Sequence, residues 1–132
     1  MDIKQLAKIK LKEFHRWRRV ASIHYELITV SDDWLIDLFE FDHSREDDGL
    51  LTWWQHEAPY ETNEIIKGVN GIPNVRQRAI LIMTYILPMR AKNKEQIDTL
   101  GIKTSTYHLA KSNALISFAK SYRDGELETL SD

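Results

Sequence analysis

The chain has 132 residues, 42% of them hydrophobic, and a formal net charge of −2 at neutral pH. This length suits one hydrophobic core and is short for two domains, so we expect one compact unit with an appendage. Cysteine is absent, which excludes disulfides and thiolate metal sites. The sequence has no run of about 18 apolar residues, so no membrane-spanning helix is predicted. The composition therefore indicates a cytoplasmic protein without a membrane partner.

Charge is distributed unevenly along the chain. Residues 1–29 carry seven basic and three acidic residues, and residues 72–123 carry nine basic and two acidic ones. Residues 30–71 carry eleven acidic and two basic residues, and residues 124–132 carry four acidic residues and no basic one. A basic segment in an acidic chain is typical of a nucleic-acid interface confined to one region. We therefore divide the chain into an N-terminal region (1–71), a candidate DNA-binding region (72–123) and an acidic tail (124–132) that we expect to fray.

Apolar residues recur at three- and four-residue steps between residues 3 and 29, and neither Pro nor Gly interrupts them. This spacing predicts one long amphipathic N-terminal helix. Its other face carries five basic side chains, Lys8, Lys12, Arg16, Arg18 and Arg19. These side chains could follow a phosphate backbone or keep a long helix soluble, because their stems also cover apolar surface.

The acidic middle begins with a helix-start signal. Ser31 and the two aspartates after it predict a short helix through residues 34–39, with a strand ending at Phe41 as the alternative. Residues 42–48 contain four acids and a histidine, but their spacing fits neither a calcium loop nor a zinc site. We interpret residues 42–52 as a solvated loop and predict no metal or cofactor.

Adjacent tryptophans follow this loop. Because neighbours in a helix or strand point in different directions, we expect one of Trp53 and Trp54 in the core, and the other on the first helix or on a partner. Pro59 should then introduce a helix that ends near Val69, before Asn70 and Gly71. Its inward residues are predicted to be Ile65, Ile66 and Val69.

The next helix is predicted to lie between Pro73 and Pro88. It is apolar on nearly all sides, which indicates the central scaffold of the domain. We expect Arg76 and Arg78 on its surface, where the helix before a helix-turn-helix can touch a DNA phosphate.

Residues 94–119 can be divided into two helices joined by a tight turn. The first begins near Asn93, with Ile97 and Leu100 inward, and Gly101 follows its end, where a left-handed backbone costs glycine nothing. Ile102 is the expected buried turn residue. Three hydroxyl residues, Thr104, Ser105 and Thr106, then supply acceptors at the start of a second helix, with Thr104 as a possible cap in place of Lys103.

The second helix has one apolar and one polar face. Its apolar stripe comprises Tyr107, Ala110, Ala114, Leu115 and Phe118. The polar face offers short hydroxyls and a cation, which suits a helix in the major groove, although an ordinary amphipathic hairpin also has such a face. The candidate DNA-binding residues are Arg76, Arg78, Lys94, Lys103, Thr104, Ser105, Thr106, His108, Lys111 and Ser112.

This segment resembles the end of the ArpU-type and RinA-type phage transcriptional regulators, whose helix-turn-helix is similar to region four of bacterial sigma factors. The resemblance covers roughly the last 60 residues. It rests on Gly101, Ser105, Thr106, Tyr107, Lys111, Ala114 and Leu115, and departs at Lys103, where serine would often stand. It implies an all-α phage or prophage protein in the bacterial cytoplasm that activates late genes for packaging or lysis, with double-stranded DNA and RNA polymerase as partners.

Two functional classes follow from these observations. The first is a sequence-specific DNA-binding transcriptional regulator, for which one reader helix sees so few base pairs that a homodimer or a polymerase contact is expected. The second is an adaptor or inhibitor of the transcription machinery that works through the acidic, tryptophan-containing middle. No residue pattern indicates an enzyme, since the five histidines are scattered without a nucleophile or paired ligands at a diagnostic interval.

Overall fold

A computed structural model describes residues 1–40, 51–89 and 91–131 of the chain. Most of the described residues lie in helices, as predicted for an all-α protein, and the rest form connections with one isolated antiparallel bridge between Val30 and Ile36 and no strand. The α-helices are α1 (Ile3–Lys12), α2 (Phe14–Val20), α3 (Trp53–Asn70), α4 (Val75–Leu81), α5 (Asn93–Leu100), α6 (Thr104–Ser121) and α7 (Glu126–Leu130). Residues 42–50 of the predicted loop, which include its acids at 42–48, lie outside the described residues, as does Phe41, whereas Leu51 and Thr52 are described and precede α3.

The predicted long N-terminal helix is wrong, because α1 and α2 are separate and α2 ends at Val20. At Glu13 the helix tightens, and the Glu13 N–H bonds to the Lys10 carbonyl at 3.1 Å. After Val20 the chain reverses through Ser22, whose φ of 61° is left-handed. The Ser22 and Ile23 amides close this end on the carbonyls of Arg19 and Arg18.

The predicted helix at 34–39 is also wrong. These residues are extended or turning, and Trp34 has a φ of 57°. Two side-chain amides of α3 form hydrogen bonds with the backbone of this segment, in place of the backbone bonds that a helix would make. Asn70 exchanges two hydrogen bonds of 2.8 Å with the backbone of Ile36, and Asn63 exchanges two of 2.9 Å with the backbone of Phe39.

Helix α3 begins six residues before the predicted start. Thr52 precedes it, and the Thr52 amide donates to Gln55 Oε1 at 2.8 Å, so Pro59 lies inside the helix instead of introducing it. Neither Trp53 nor Trp54 is buried, which corrects the expectation of one core tryptophan. The predicted inward residues Ile65, Ile66 and Val69 are fully buried.

Helix α4 continues as a π-helical turn (Ile82–Ile86) and ends before Pro88, as predicted. Its residues from 78 to 84 are all buried, and it packs against α6. The surface position predicted for Arg78 is wrong. This side chain is buried and donates to the carbonyls of Asp33, Trp34, Ile72 and Pro73 at 2.7–3.3 Å.

Fraying was predicted for the acidic tail, but its described residues, 124–131, include a short helix. The chain turns through Arg123 and Asp124, both with left-handed φ angles, into α7, and Leu127 of α7 is buried. Arg123 and Lys10 contact the buried carboxylate of Glu61 at 2.7 and 3.4 Å, and the Tyr122 hydroxyl donates to the same carboxylate. Burial, together with that carboxylate, raises the pKa of Tyr122 well above its usual range.

Candidate nucleic-acid interface

Helices α5 and α6 are joined by residues 101–103. Gly101 has a φ of 63° and a ψ of 36°, as predicted for a glycine just past a helix end, and its amide donates to the Ile97 carbonyl at 2.9 Å. Helix α6 begins at Thr104 with Lys103 as its N-cap, and no side chain caps it. The hydroxyls of the first turn are therefore not consumed by capping, contrary to the role expected for Thr104.

A buried polar network fixes α5 against its neighbours. Gln96 is fully buried, and its Nε2 donates to Thr84 Oγ1 and to the Ala91 carbonyl, both at 3.0 Å. Its Oε1 accepts from the Tyr107 hydroxyl at 3.0 Å. Sequence reasoning missed Gln96, although it lies one turn before Leu100 on the inward face. The two residues expected inward, Ile97 and Leu100, are only half-buried.

The N-terminal half of α6 presents its polar face to solvent. Thr104, Ser105 and His108 are exposed, whereas Thr106 is half-buried. Leu109, which was not among the predicted site residues, is 65% exposed beside them. Short hydroxyls, an imidazole and one apolar side chain can reach base edges and the methyl group of thymine. Tyr107, Ala114, Leu115 and Phe118 are buried on the opposite face, as predicted.

Lys111 and Ser112 contact other parts of the protein. Lys111 Nζ donates to Asn93 Oδ1 at 3.2 Å and lies 5.5 Å from the centre of the Tyr107 ring. Ser112 Oγ accepts a 3.0 Å hydrogen bond from Lys4 Nζ of α1. Ser112 therefore lies against α1, at the edge of the exposed surface.

Helix α1 adds cations that sequence reasoning did not connect with α6. Lys4 and Lys8 line an open pocket of about 330 Å³ together with His108 and Lys111. The charge pattern gave a signal, since residues 1–29 are basic, but only the packing of α1 on α6 places these lysines beside the polar face.

The remaining predicted site residues differ in their solvent exposure. Lys94, Lys103 and Arg76 are exposed. Arg78 is instead committed to four backbone carbonyls, as described above. We therefore remove Arg78 from the set of candidate DNA contacts.

The start of α3 forms a second exposed surface. Trp53 is 68% exposed and Trp54 is 46% exposed, and their rings meet edge to face at 5.8 Å. Exposed indoles are frequent in protein interfaces, because they combine a large apolar area with one polar group.

No protein-family model matches the chain, and neither a curated protein nor a solved structure is significantly similar to it. Within the described residues, no helix combines the length and the apolar character needed to cross a bilayer.

Proposed function

We propose that the protein is a sequence-specific DNA-binding transcriptional regulator, with α5 and α6 as a helix-turn-helix and α6 as the reader helix. The observation that carries this proposal is the exposed N-terminal half of α6. It combines hydroxyls that do not cap the helix with nearby lysines. Lys4 and Lys8 of α1 and Lys111 line one pocket with His108, and Lys103 directly precedes the helix.

The exposed side chains have two roles in this proposal. Ser105, His108 and Leu109 meet base edges, with Thr104 and Thr106 beside them at the helix start. The cations Lys94, Lys103 and Lys111 meet phosphates, and Lys4 and Lys8 extend that cationic surface along α1. Ser112 lies at the margin of this surface, against α1. Arg76 is exposed near the start of α4, close in sequence to Pro73, which lines a pocket with Lys120 at the other end of α6.

The biological role rests on the resemblance described above. A chain of the ArpU or RinA type would be a phage or prophage activator of late genes for packaging or lysis. One reader helix gives weak discrimination among genomic sites, so a homodimer or a contact with RNA polymerase would supply the rest.

A selection from random duplex DNA at near-physiological salt tests sequence reading. We expect the wild-type protein to enrich a motif, and a Ser105→Ala/His108→Ala variant to lose it. Both replaced side chains are exposed, so the variant should keep the wild-type melting temperature. No enriched motif from folded wild-type protein would contradict the proposal.

Phosphate contacts are tested by a matched pair of lysines at the two ends of α6. Lys103 and Lys120 are both exposed and lie about 25 Å apart along the helix. Lys103→Ala should weaken binding to all sequences and reduce the slope of log K against log salt by about 1. Lys120→Ala should leave that slope unchanged. Equal effects of the two variants would indicate only a diffuse charge effect.

The exposed tryptophan pair favours a second candidate function, a protein adaptor or inhibitor that acts on the transcription machinery. In that case Trp53→Ala/Trp54→Ala should abolish binding to purified RNA polymerase while DNA binding stays intact. The pair is not in the core, so this variant should remain folded. Polymerase binding that is unchanged in the variant would exclude the role of this surface.

A further inference from the structure

A pocket of about 430 Å³ lies between the C-terminal end of α2 and the residues that follow the π-helical turn. It is lined by His15, Arg18, Arg19, Tyr25, Pro88 and Met89. The volume is within the range of small-molecule sites. None of these side chains belongs to the proposed DNA-reading surface on α6.

The pocket is built around a buried guanidinium. Arg18 is only 8% exposed, its Nη1 donates to the Ile23 carbonyl at 2.7 Å, and its Nε donates to His15 Nδ1 at 3.0 Å. Both partners are neutral acceptors, which hold the guanidinium in one orientation. The side chain therefore needs no further ordering to receive a ligand.

Arg18 has no partner of opposite charge in the part of the chain that the structure describes. Its neighbour Arg19 repeats its positive charge, and the carboxylate of Glu26 lies beside His24, at 3.8 Å. Burial and the charge of Arg19 lower the pKa of Arg18. A charge that is removed from water without a counter-ion is costly, and an anion would reduce that cost.

One guanidinium nitrogen of Arg18, Nη2, is the atom that can donate to a ligand in the pocket. Nη2 donates no hydrogen bond to any described residue. Every fully buried side-chain nitrogen in the described part of the chain, by contrast, has a hydrogen-bond partner. Nη2 must therefore reach solvent, and the pocket is the cavity that Arg18 lines. Arg19 adds an exposed second guanidinium to the same pocket.

The rest of the lining is flat or apolar. The Tyr25 ring is exposed and lies 4.5 Å from the His24 ring, which supports it from one side. Pro88 and the exposed Met89 border the pocket from the other segment. Such a lining suits a ring attached to the anion better than a bare ion.

We propose that this pocket binds a phosphate monoester that carries a flat ring, which is the chemistry of a nucleoside monophosphate. The phosphate oxygens accept from Arg18 Nη2 and from Arg19, since guanidinium groups match phosphate geometry. The ring lies against Tyr25 and Met89. The site is independent of DNA binding by α6.

Calorimetric titration of the full chain with AMP at about pH 7.5 tests the site, with inorganic phosphate and adenosine as separate probes. We expect saturable binding of AMP and clearly weaker binding of the two fragments. Arg19→Gln should weaken AMP binding by roughly tenfold, because it removes one charge-assisted contact from an exposed residue outside the core. Tyr25→Ala should reduce AMP affinity and leave phosphate affinity unchanged.

Arg16→Gln is the matched control, because Arg16 is an exposed arginine on the same helix that does not line the pocket. It should change AMP affinity less than twofold. An equal loss in the Arg16 and Arg19 variants would overturn the site, since attraction would then depend on overall charge. Absence of AMP binding at millimolar concentration would overturn it as well, whatever α6 does with DNA.

Discussion

Residues 29–40 and residues 93–121 are held in place by different kinds of contact. The second stretch is two helices that satisfy most of their own backbone groups, with one buried network at their junction. The first stretch has almost no regular structure. It forms a few backbone hydrogen bonds of its own, such as the one from the Asp37 amide to the Thr29 carbonyl at 3.0 Å, and side chains of α3 and α4 bond to other backbone groups in it. For its backbone hydrogen bonds, a helical segment depends little on distant residues, whereas an irregular segment depends on them more heavily.

The largest effect should therefore come from a residue that lies far in sequence from the segment it holds. Arg78→Ala removes the donors to four carbonyls, two of them at Asp33 and Trp34, and leaves these acceptors poorly satisfied. We expect a loss of roughly 3 kcal/mol or more in the free energy of unfolding, measured by chemical denaturation.

Arg76→Ala is the control for this loss. Arg76 is an exposed arginine on the same helix, and its removal should change stability by less than about 0.5 kcal/mol. A small loss for Arg78→Ala would mean that water replaces the guanidinium at these carbonyls. The contrast between the two stretches would then be weaker than the geometry indicates.

The second prediction concerns residues 93–121, whose helices form most of their own backbone hydrogen bonds. Gln96→Ala removes one of the two acceptors near the Tyr107 hydroxyl, the other being Asn93 Oδ1 at 3.1 Å, and the donor to Thr84 and to the Ala91 carbonyl, so it should cost roughly 2 kcal/mol of stability. Replacement of the exposed neighbour Glu95 by alanine should have almost no effect. An equal response of the two variants would show that packing alone joins α4, α5 and α6.

How far each stretch could be predicted follows from the same difference. The positions of α5 and of the start of α6 follow from local signals, a glycine past a helix end and a hydroxyl-rich first turn. No local signal marks residues 34–39 as extended, because Asn63, Asn70 and Arg78 lie some 25 to 45 positions away. The helix-start signal at Ser31 is present but is overridden by these contacts.

The candidate site was partly predictable for the same reason. The polar face of α6 follows from its own sequence, so Ser105 and His108 could be named in advance. Lys8 was named only as part of a basic helix face, and neither Lys4 nor Lys8 could be placed beside α6 in advance, since that depends on how α1 packs. Arg78 was misassigned because an arginine in a helix is usually exposed, and only its distant carbonyl partners explain its burial.

A smaller effect should come from two of the left-handed turns, those at Gly101 and Ser22, which have nearly the same φ with different residues. Gly101 has a φ of 63° with open space around it, and Ser22 has a φ of 61°. Gly101→Ala should cost about 1 kcal/mol, because a Cβ disfavours this conformation. Ser22→Gly should gain up to about 1 kcal/mol, reduced by the greater freedom of glycine in the unfolded chain.

Thermal unfolding of both variants measures these opposite shifts. If Ser22→Gly lowers stability, its hydroxyl must contribute more than the backbone strain costs. If Gly101→Ala is neutral, the turn relaxes to another conformation, and the path from α5 to α6 is less fixed than its hydrogen bonds indicate.

The smallest effect concerns His15, which joins α2 to the segment that leads into α5. Burial and the charges of Arg18 and Arg19 lower the pKa of His15 below its ordinary value of 6.5, and a backbone hydrogen bond with Leu87 opposes that shift in part. Because the folded state disfavours the protonated ring, His15 contributes stability above about pH 6.5 that is lost as pH falls through its lowered pKa. Protonation also removes the Nδ1 acceptor of the Arg18 bond.

Denaturation curves of the wild type and of a His15→Gln variant, recorded from about pH 7.5 to pH 5, isolate this contribution. Both proteins retain the other four histidines, so their remaining pH dependence should cancel in the difference. The wild type should lose stability relative to the variant as pH falls below about 6.5. Parallel curves would mean that His15 can protonate without disturbing Arg18, and that the contact between α2 and the segment after α4 tolerates a third positive charge.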